Sequence, residues 1–305
     1  MKGLAPRGIG WYREFAPCKA LQANVYALFS FLPEPAPVPP YRTLLREIAF
    51  SDPRLCAPQL ADGHVSFSFE LGQTWDVDGR WEVDSRALRG TVVGPLRAVG
   101  RTEPGNLSST VGVFFRPARV DSFLRIPISE LTDCTVAIDD VWGTVGSRLP
   151  SEFCELDEAA RIDRLESILL KRLEWDRRRE GALDIAALAT SILRWRGRMT
   201  VDTMARVTGV SRQHLSREFR ERIGVAPKLY SRLARFQSGL VYAGSRARVD
   251  WARVALDMGY VDQSHMIAEF REFGGLTPRT LASCDWFHPF IERAKSFSSR
   301  TSSQS

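Results

Sequence analysis

Of the residue types that do chemistry, histidine is scarcest: the 305-residue chain has four, and His64 alone precedes residue 200. A metal centre of two or three histidines and a glutamate on adjacent strands, as small β-barrels often hold, is therefore excluded. His64 is expected to be a surface or rim residue. The five cysteines, Cys18, Cys56, Cys134, Cys154 and Cys284, are odd in number, scattered and free of any CxxC pair. They argue against a disulfide framework or a zinc site and for buried thiols in a reducing compartment. No glycine-rich phosphate loop, GxSxG elbow or HExxH helix occurs, so no catalytic residue, metal or cofactor is assigned and an enzyme is not expected. Long apolar runs are missing too. The longest, around residues 25–32, falls far short of a membrane span, and no apolar core of signal-peptide length follows Lys2. The expectation is a cytoplasmic protein without a membrane partner.

Positive charge, by contrast, is present in excess and unevenly placed. The net charge is +6, yet residues 185–280 hold 16 Arg plus Lys against 8 Asp plus Glu, or +8, leaving −2 for the remainder. Excess charge confined to one segment is what phosphate binding requires, because each neutralised phosphate releases condensed counterions. The length suits about two domains.

The basic segment contains one unit twice. Ala205, Gly209, Phe219, Gly224 and Pro227 recur as Ala255, Gly259, Phe270, Gly275 and Pro278, with Glu-Phe-Arg-Glu at 218–221 and 269–272. Each copy reads as a helix-turn-helix. In the first, Val201, Met204, Ala205 and Thr208 share a helical face, Gly209 permits the turn, and Ser211 caps a helix burying Leu215 and Phe219. In the second, residues 251–258 form the positioning helix, and Asp262 or Ser264 caps a helix burying Met266 and Phe270.

These motifs carry a family resemblance. ALDMGYVDQSHMIAEFREFGGLTP resembles the signature of AraC/XylS-type transcriptional regulators, and ARVTGVSRQHLSREFRERIGVAP is similar to that family's first helix-turn-helix. The likeness covers about a third of the chain, roughly residues 185–281. It implies sequence-specific binding of double-stranded DNA, RNA polymerase as a partner, and a cytoplasmic, nucleoid-associated bacterial protein. A small-molecule effector and a homodimer stay open, as do activation and repression. GVFFRPARVDSFLRIPISELTD and DDVWG, at 112–133 and 139–143, resemble an N-terminal sensing or oligomerising domain attached to such regulators.

The organisation expected is α+β: a β-rich barrel or sandwich over 1–150, a helical connector over 151–182, an all-α tandem helix-turn-helix domain over 183–288 and a disordered tail over 289–305. Residues 24–32 read as a strand, and LPEPAPVPP as an extended loop. Val65, Phe67, Phe69 and Leu71 alternate with His64, Ser66, Ser68 and Glu70, the pattern of a half-buried strand. Asp78-Gly79 between Trp75/Val77 and Trp81/Val83 predicts a two-residue hairpin turn. Runs at 91–93, 111–115 and 123–128 are further strand candidates. The aromatic residues Phe67, Phe69, Trp75, Trp81, Phe114, Phe115 and Trp142 either form core or enclose a ligand. After Pro150 the pattern turns helical. Ile162, Leu165, Ile168, Leu169 and Leu173 form a stripe on a helix over about 156–178 that packs on the β domain or pairs with a second copy. Residues 183–195 predict a helix burying Leu188, Ile192 and Trp195.

Side chains facing away from each recognition-helix core are the DNA-contact candidates. For bases these are Arg212, Gln213, Ser216 and Arg217 in the first helix and Gln263 and Ser264 in the second; for phosphate they are Arg220 and Arg271. The resemblance assigns base reading to Arg217. The aligned position of the second helix is Ala268, next to Ile267, so this helix lacks a bidentate reader of guanine. Two rival functions are weighed: a DNA-binding adaptor on an alkyl-transfer repair activity, which needs a clustered, activated cysteine, and an interaction protein that has lost DNA binding.

Overall fold

The computed structural model describes residues 7–9, 12–31, 58–59, 63–75, 81–98, 100–101, 107–124, 126–173, 183–244 and 249–282. The proline-rich loop and the predicted tail lie outside these residues. The strands are β1 (Arg7–Ile9), β2 (Tyr12–Phe15), β3 (Val25–Phe31), β4 (Pro58–Gln59), β5 (Ser66–Trp75), β6 (Trp81–Val93), β7 (Gly100–Arg101), β8 (Leu107–Phe115) and β9 (Thr135–Ala137). An antiparallel sheet runs β1-β2-β3-β8-β5-β6-β9, and β4 pairs with β7 in a separate ribbon.

The period-two pattern of β5 survives in three dimensions: Val65, Phe67, Phe69 and Leu71 are buried while Ser66, Ser68 and Glu70 are half-buried. Burying each large apolar side chain contributes about 1.5–3 kcal/mol. The aromatic set is chiefly core. Phe67 packs edge-on to Phe115 at 4.6 Å and to Trp142 at 5.1 Å between centroids, and Phe69 meets Phe153 at 5.1 Å. Trp75 faces Trp81 across the β5–β6 ladder.

The ladder pairs Trp75 with Trp81, so β5 and β6 form the expected hairpin, and the Asp78-Gly79 turn itself lies outside the described residues. The described residues within 123–128 form no strand. They join two 3-10 turns, Val120–Ser122 and Ile128–Leu131, because Pro127 starts the second and Phe123 and Leu124 turn into the core.

Helix begins earlier than Pro150, with α1 (Ile138–Trp142) and α2 (Thr144–Cys154); Pro150 is buried inside α2, where its missing N–H leaves one carbonyl without an intrahelical donor. Next comes α3 (Glu158–Leu173). Its buried residues Ile162, Leu165, Ile168 and Leu169 share one core with Phe67 and Phe115, so the stripe is spent on the β-rich half of its own chain. Trp142 closes this core, donating from Nε1 to the Phe123 carbonyl at 3.1 Å under the Arg172 guanidinium, 4.1 Å from its ring.

The C-terminal helices are α4 (Ile185–Arg194), α5 (Val201–Thr208), α6 (Arg212–Ile223), α7 (Pro227–Gly244), α8 (Trp251–Met258), α9 (Gln263–Gly274) and α10 (Pro278–Ala282). Caps set most of the starts. Asp184, Thr200, Ser211, Asp250 and Asp262 each accept a backbone N–H from the first turn of α4, α5, α6, α8 and α9. Asp262, not Ser264, caps α9. Gly209 and Gly259 stand at φ +70° and +78° in the two helix-turn-helix turns, a conformation costly for any side chain.

α7 belongs to two cores. Tyr230 and Ala234 pack with Leu215 and Phe219 of the first unit, whereas Leu233, Phe236 and Leu240 pack with Met258, Met266 and Phe270 of the second. The β-rich half grips the first unit. Thr132 Oγ1 donates to the Gly224 carbonyl at 2.7 Å, at the end of α6, and Ala118 lies in the core of Ile185 and Phe219. A Cβ on Gly63 would stand 3.1 Å from Leu233 of α7. His64, next in sequence, is consequently buried at 6% exposure, not a rim residue.

Candidate nucleic-acid interface

Within α6, Leu215 and Phe219 are fully buried, so the opposite face is presented outward. Arg212, Gln213, Arg217 and Arg220 are exposed and Ser216 is half-buried, which brings the five first-helix candidates onto one surface. Two are held by neighbours. Arg212 Nε lies 2.5 Å from Asp202 of α5, and Arg217 Nη2 lies 3.0 Å from His214 Nδ1 and 3.6 Å from Glu218. Exposed pairs of this kind are worth about 0–1 kcal/mol, little enough to exchange for a phosphate or a base edge.

On α9 the buried Met266, Phe270 and Phe273 leave Gln263, Ser264, Ala268 and Arg271 exposed and Ile267 half-buried. The polar groups cluster at the N-terminal turn, which the Asp262 carboxylate already caps by accepting from His265 N at 2.7 Å. Val261, just before the cap, is 82% exposed and adds apolar surface that sequence periodicity did not flag.

The geometry is that of two recognition helices fixed to the ends of one rod, since α7's 18 residues span about 27 Å at 1.5 Å per residue. Residues 204–283 match the family described as a helix-turn-helix domain. The C-terminal part of this chain is a helix-turn-helix domain. No curated protein sequence matches the chain. Among solved structures, ToxT from Vibrio cholerae O395 is similar at 11% identity, covering 73% of this chain and 90% of that one with a TM-score of 0.39. Wild-type ToxT from V. cholerae strain SCE256 with bound unsaturated fatty acid is similar at 12% identity, covering 72% and 87%, with a TM-score of 0.39.

Two features of this domain were not legible in the residue pattern. The first is a buried ionic clamp between α7 and α9. Glu269 is 2% exposed, and its Oε1 lies 2.7 Å from Arg232 Nε, 3.7 Å from Arg235 Nη2 and 3.5 Å from His265 Nε2; Arg232 also holds Glu272 at 2.5 Å. The arginines lie over aromatic rings, Arg232 on Phe273 at 4.8 Å and Arg235 on Tyr260 at 5.3 Å. Burial first, and the Glu269 charge second, push the Tyr260 phenol well above the ordinary tyrosine range. In the first unit the equivalent Glu218 is more open and pairs on its own helix, with Arg222 at 3.9 Å. The shared Glu-Phe-Arg-Glu motif hid this difference, because the partners come from α7.

The second is Trp195. Helical period assigns it to the α4 core, but it ends the helix and is 63% exposed. Arg196 beside it has φ +52°, which turns the chain away from the helical path before the next side chain can follow.

Proposed function

We propose that the protein is a transcriptional regulator that binds about twenty base pairs of duplex DNA per monomer, inserting α6 and α9 into successive major grooves on one face. The observation that carries this reading is the rigid α7 rod, whose side chains are shared between the cores of both helix-turn-helix units. Its length of about 27 Å, with two helices of finite width at its ends, suits grooves about 34 Å apart with modest bending of the DNA.

The two helices divide the work. Arg217, with its planar fork, reads guanine O6 and N7, supported by Arg212, Gln213 and Ser216, while Arg220 positions α6 on phosphate. At the aligned position α9 has Ala268, which touches a thymine methyl but donates nothing. Gln263 and Ser264 make limited base contacts, and Arg271 holds phosphate. The first element of the site therefore carries most of the sequence information and the second mainly affinity.

Control by a small effector enters through the contact of the β-rich half with Gly224 at the end of α6, and RNA polymerase is the protein partner of the bound complex. A homodimer would use a surface other than the α3 stripe, which is buried. The test is genome-wide mapping of bound sites, followed by footprinting and systematic base substitution on one of them. Two unlike elements one helical turn apart, the first more discriminating, are expected. Protection confined to one groove segment, or a more discriminating second element, would overturn the assignment.

A further inference from the structure

Three of the five residues at 194–198 are arginine, and Trp195 stands between the first two. Arg194, Trp195, Arg196 and Arg198 are all exposed, and among the described residues no carboxylate pairs with any of the three guanidinium groups. This sets them apart from Arg212, Arg217, Arg232 and Arg253, each of which has an acidic neighbour. A solvated basic face does not account for an exposed indole in its middle.

The turn is rigid and centrally placed. Gly197 is buried at φ +69°, and a Cβ there would stand 1.9 Å from the Ser231 carbonyl of α7. Gly197 N bonds the Ile192 carbonyl at 2.8 Å and Arg198 N the Trp195 carbonyl at 3.1 Å. Arg196 keeps a left-handed backbone, which a non-glycine residue adopts only at a cost. On its far side, the Arg198 side chain lies 3.3 Å from where a Cβ on Gly259 would be, against the turn that leads into α9. Thr200, two residues on, caps α5 of the first unit. The segment therefore occupies the seam between the two helix-turn-helix units.

We infer that residues 194–198 are a third DNA-contact site, on the sugar-phosphate backbone between the two elements. Arg194, Arg196 and Arg198 take phosphates flanking the intervening minor groove, and Trp195 lays its ring on a deoxyribose there. On the two-groove reading, a duplex engaged by α6 and α9 spans both units and runs past the seam between them. Unpaired cations around a lone aromatic suit a polyanion better than a protein pocket, which would need an apolar rim. The inference rests on the two-groove reading above.

The experiment uses the full chain and a duplex with both mapped elements. Arg196→Ala/Arg198→Ala and Trp195→Ala are compared with wild type and with Arg279→Ala, an exposed arginine on α10 outside the turn. The double variant should lower the slope of log Kobs against log salt by about two units, at roughly 0.9 per phosphate. Phosphate ethylation between the elements should interfere with wild-type binding but not with the double variant, while base preferences stay unchanged. Trp195→Ala should weaken binding several-fold, with Trp195→Phe restoring most of it. A slope and interference pattern unchanged in the double variant, or a slope loss equal to that of Arg279→Ala, would overturn the inference and leave the two-groove reading intact. Failure of wild type to shift any duplex would overturn both. Melting curves matching wild type confirm that each variant is folded.

Discussion

Removing Glu269 separates the clamp's structural and DNA-binding roles. Its carboxylate, 2% exposed, is the common partner of Arg232, Arg235 and His265. Breaking a buried pair by deleting one partner costs about 3–5 kcal/mol, because the other charge is left without compensation. Here Arg232 keeps Glu272 at 2.5 Å, so the lower part of that range applies. Arg235 loses its acidic neighbour and keeps the Gly259 carbonyl at 3.4 Å and the Tyr260 ring. Glu269→Ala should therefore destabilise the C-terminal half by about 3 kcal/mol, which for a unit near 100 residues lowers Tm by about 12 °C or more. Glu269→Gln, which keeps the shape and one acceptor, should cost about half as much. Because the clamp orients α9 and not α6, affinity for a duplex carrying the second element should fall more than affinity for the first alone. Urea denaturation gives the stability change, and gel shifts on single-element duplexes give the split. A Glu269→Ala protein as stable as wild type, or equal losses on both elements, would refute the reasoning.

Other perturbations follow from the same geometry. Arg217→Ala should cost about 1–3 kcal/mol on the correct site and leave random DNA nearly unaffected, whereas Arg271→Ala should weaken both alike and flatten the salt slope by about one unit, each read by titration at several salt concentrations. Gly224→Ala places a Cβ 2.5 Å from Pro95 and 2.8 Å from Thr132 Oγ1 at φ +89°, so it should loosen the grip of the β-rich half on α6. Hydrogen exchange across 128–132 should rise, and the left-handed backbone alone should cost about 1–2 kcal/mol. Tyr260, whose folded phenol is raised, keeps its proton where the unfolded chain loses one. Its contribution is present below about pH 10 and is lost as pH rises beyond that value, so Tyr260→Phe should be less sensitive to alkali in denaturation curves from about pH 9 to 11.

Local periodicity was enough to place α4 through α9, the Ser211 cap, the two turn glycines and the outward faces of α6 and α9, because each depends on residues within one or two turns of each other. The inner face of β5 was legible for the same reason. What depended on partners distant in sequence was not. Residues 123–128 had strand composition but no neighbouring strand to pair with. His64 was assigned to the rim by its polar type, yet it is buried where the adjacent Gly63 meets α7. Trp195 was assigned to a core by phase, although its helix stops one residue earlier. The clamp around Glu269 required α7 and α9 to be side by side. Sequence alone thus determined the repeated unit, its charge and the side chains its second helices turn outward, all properties of contiguous stretches. The tertiary structure decided what holds α9 in place and what lies between α6 and α9, because those contacts join residues brought together only by packing.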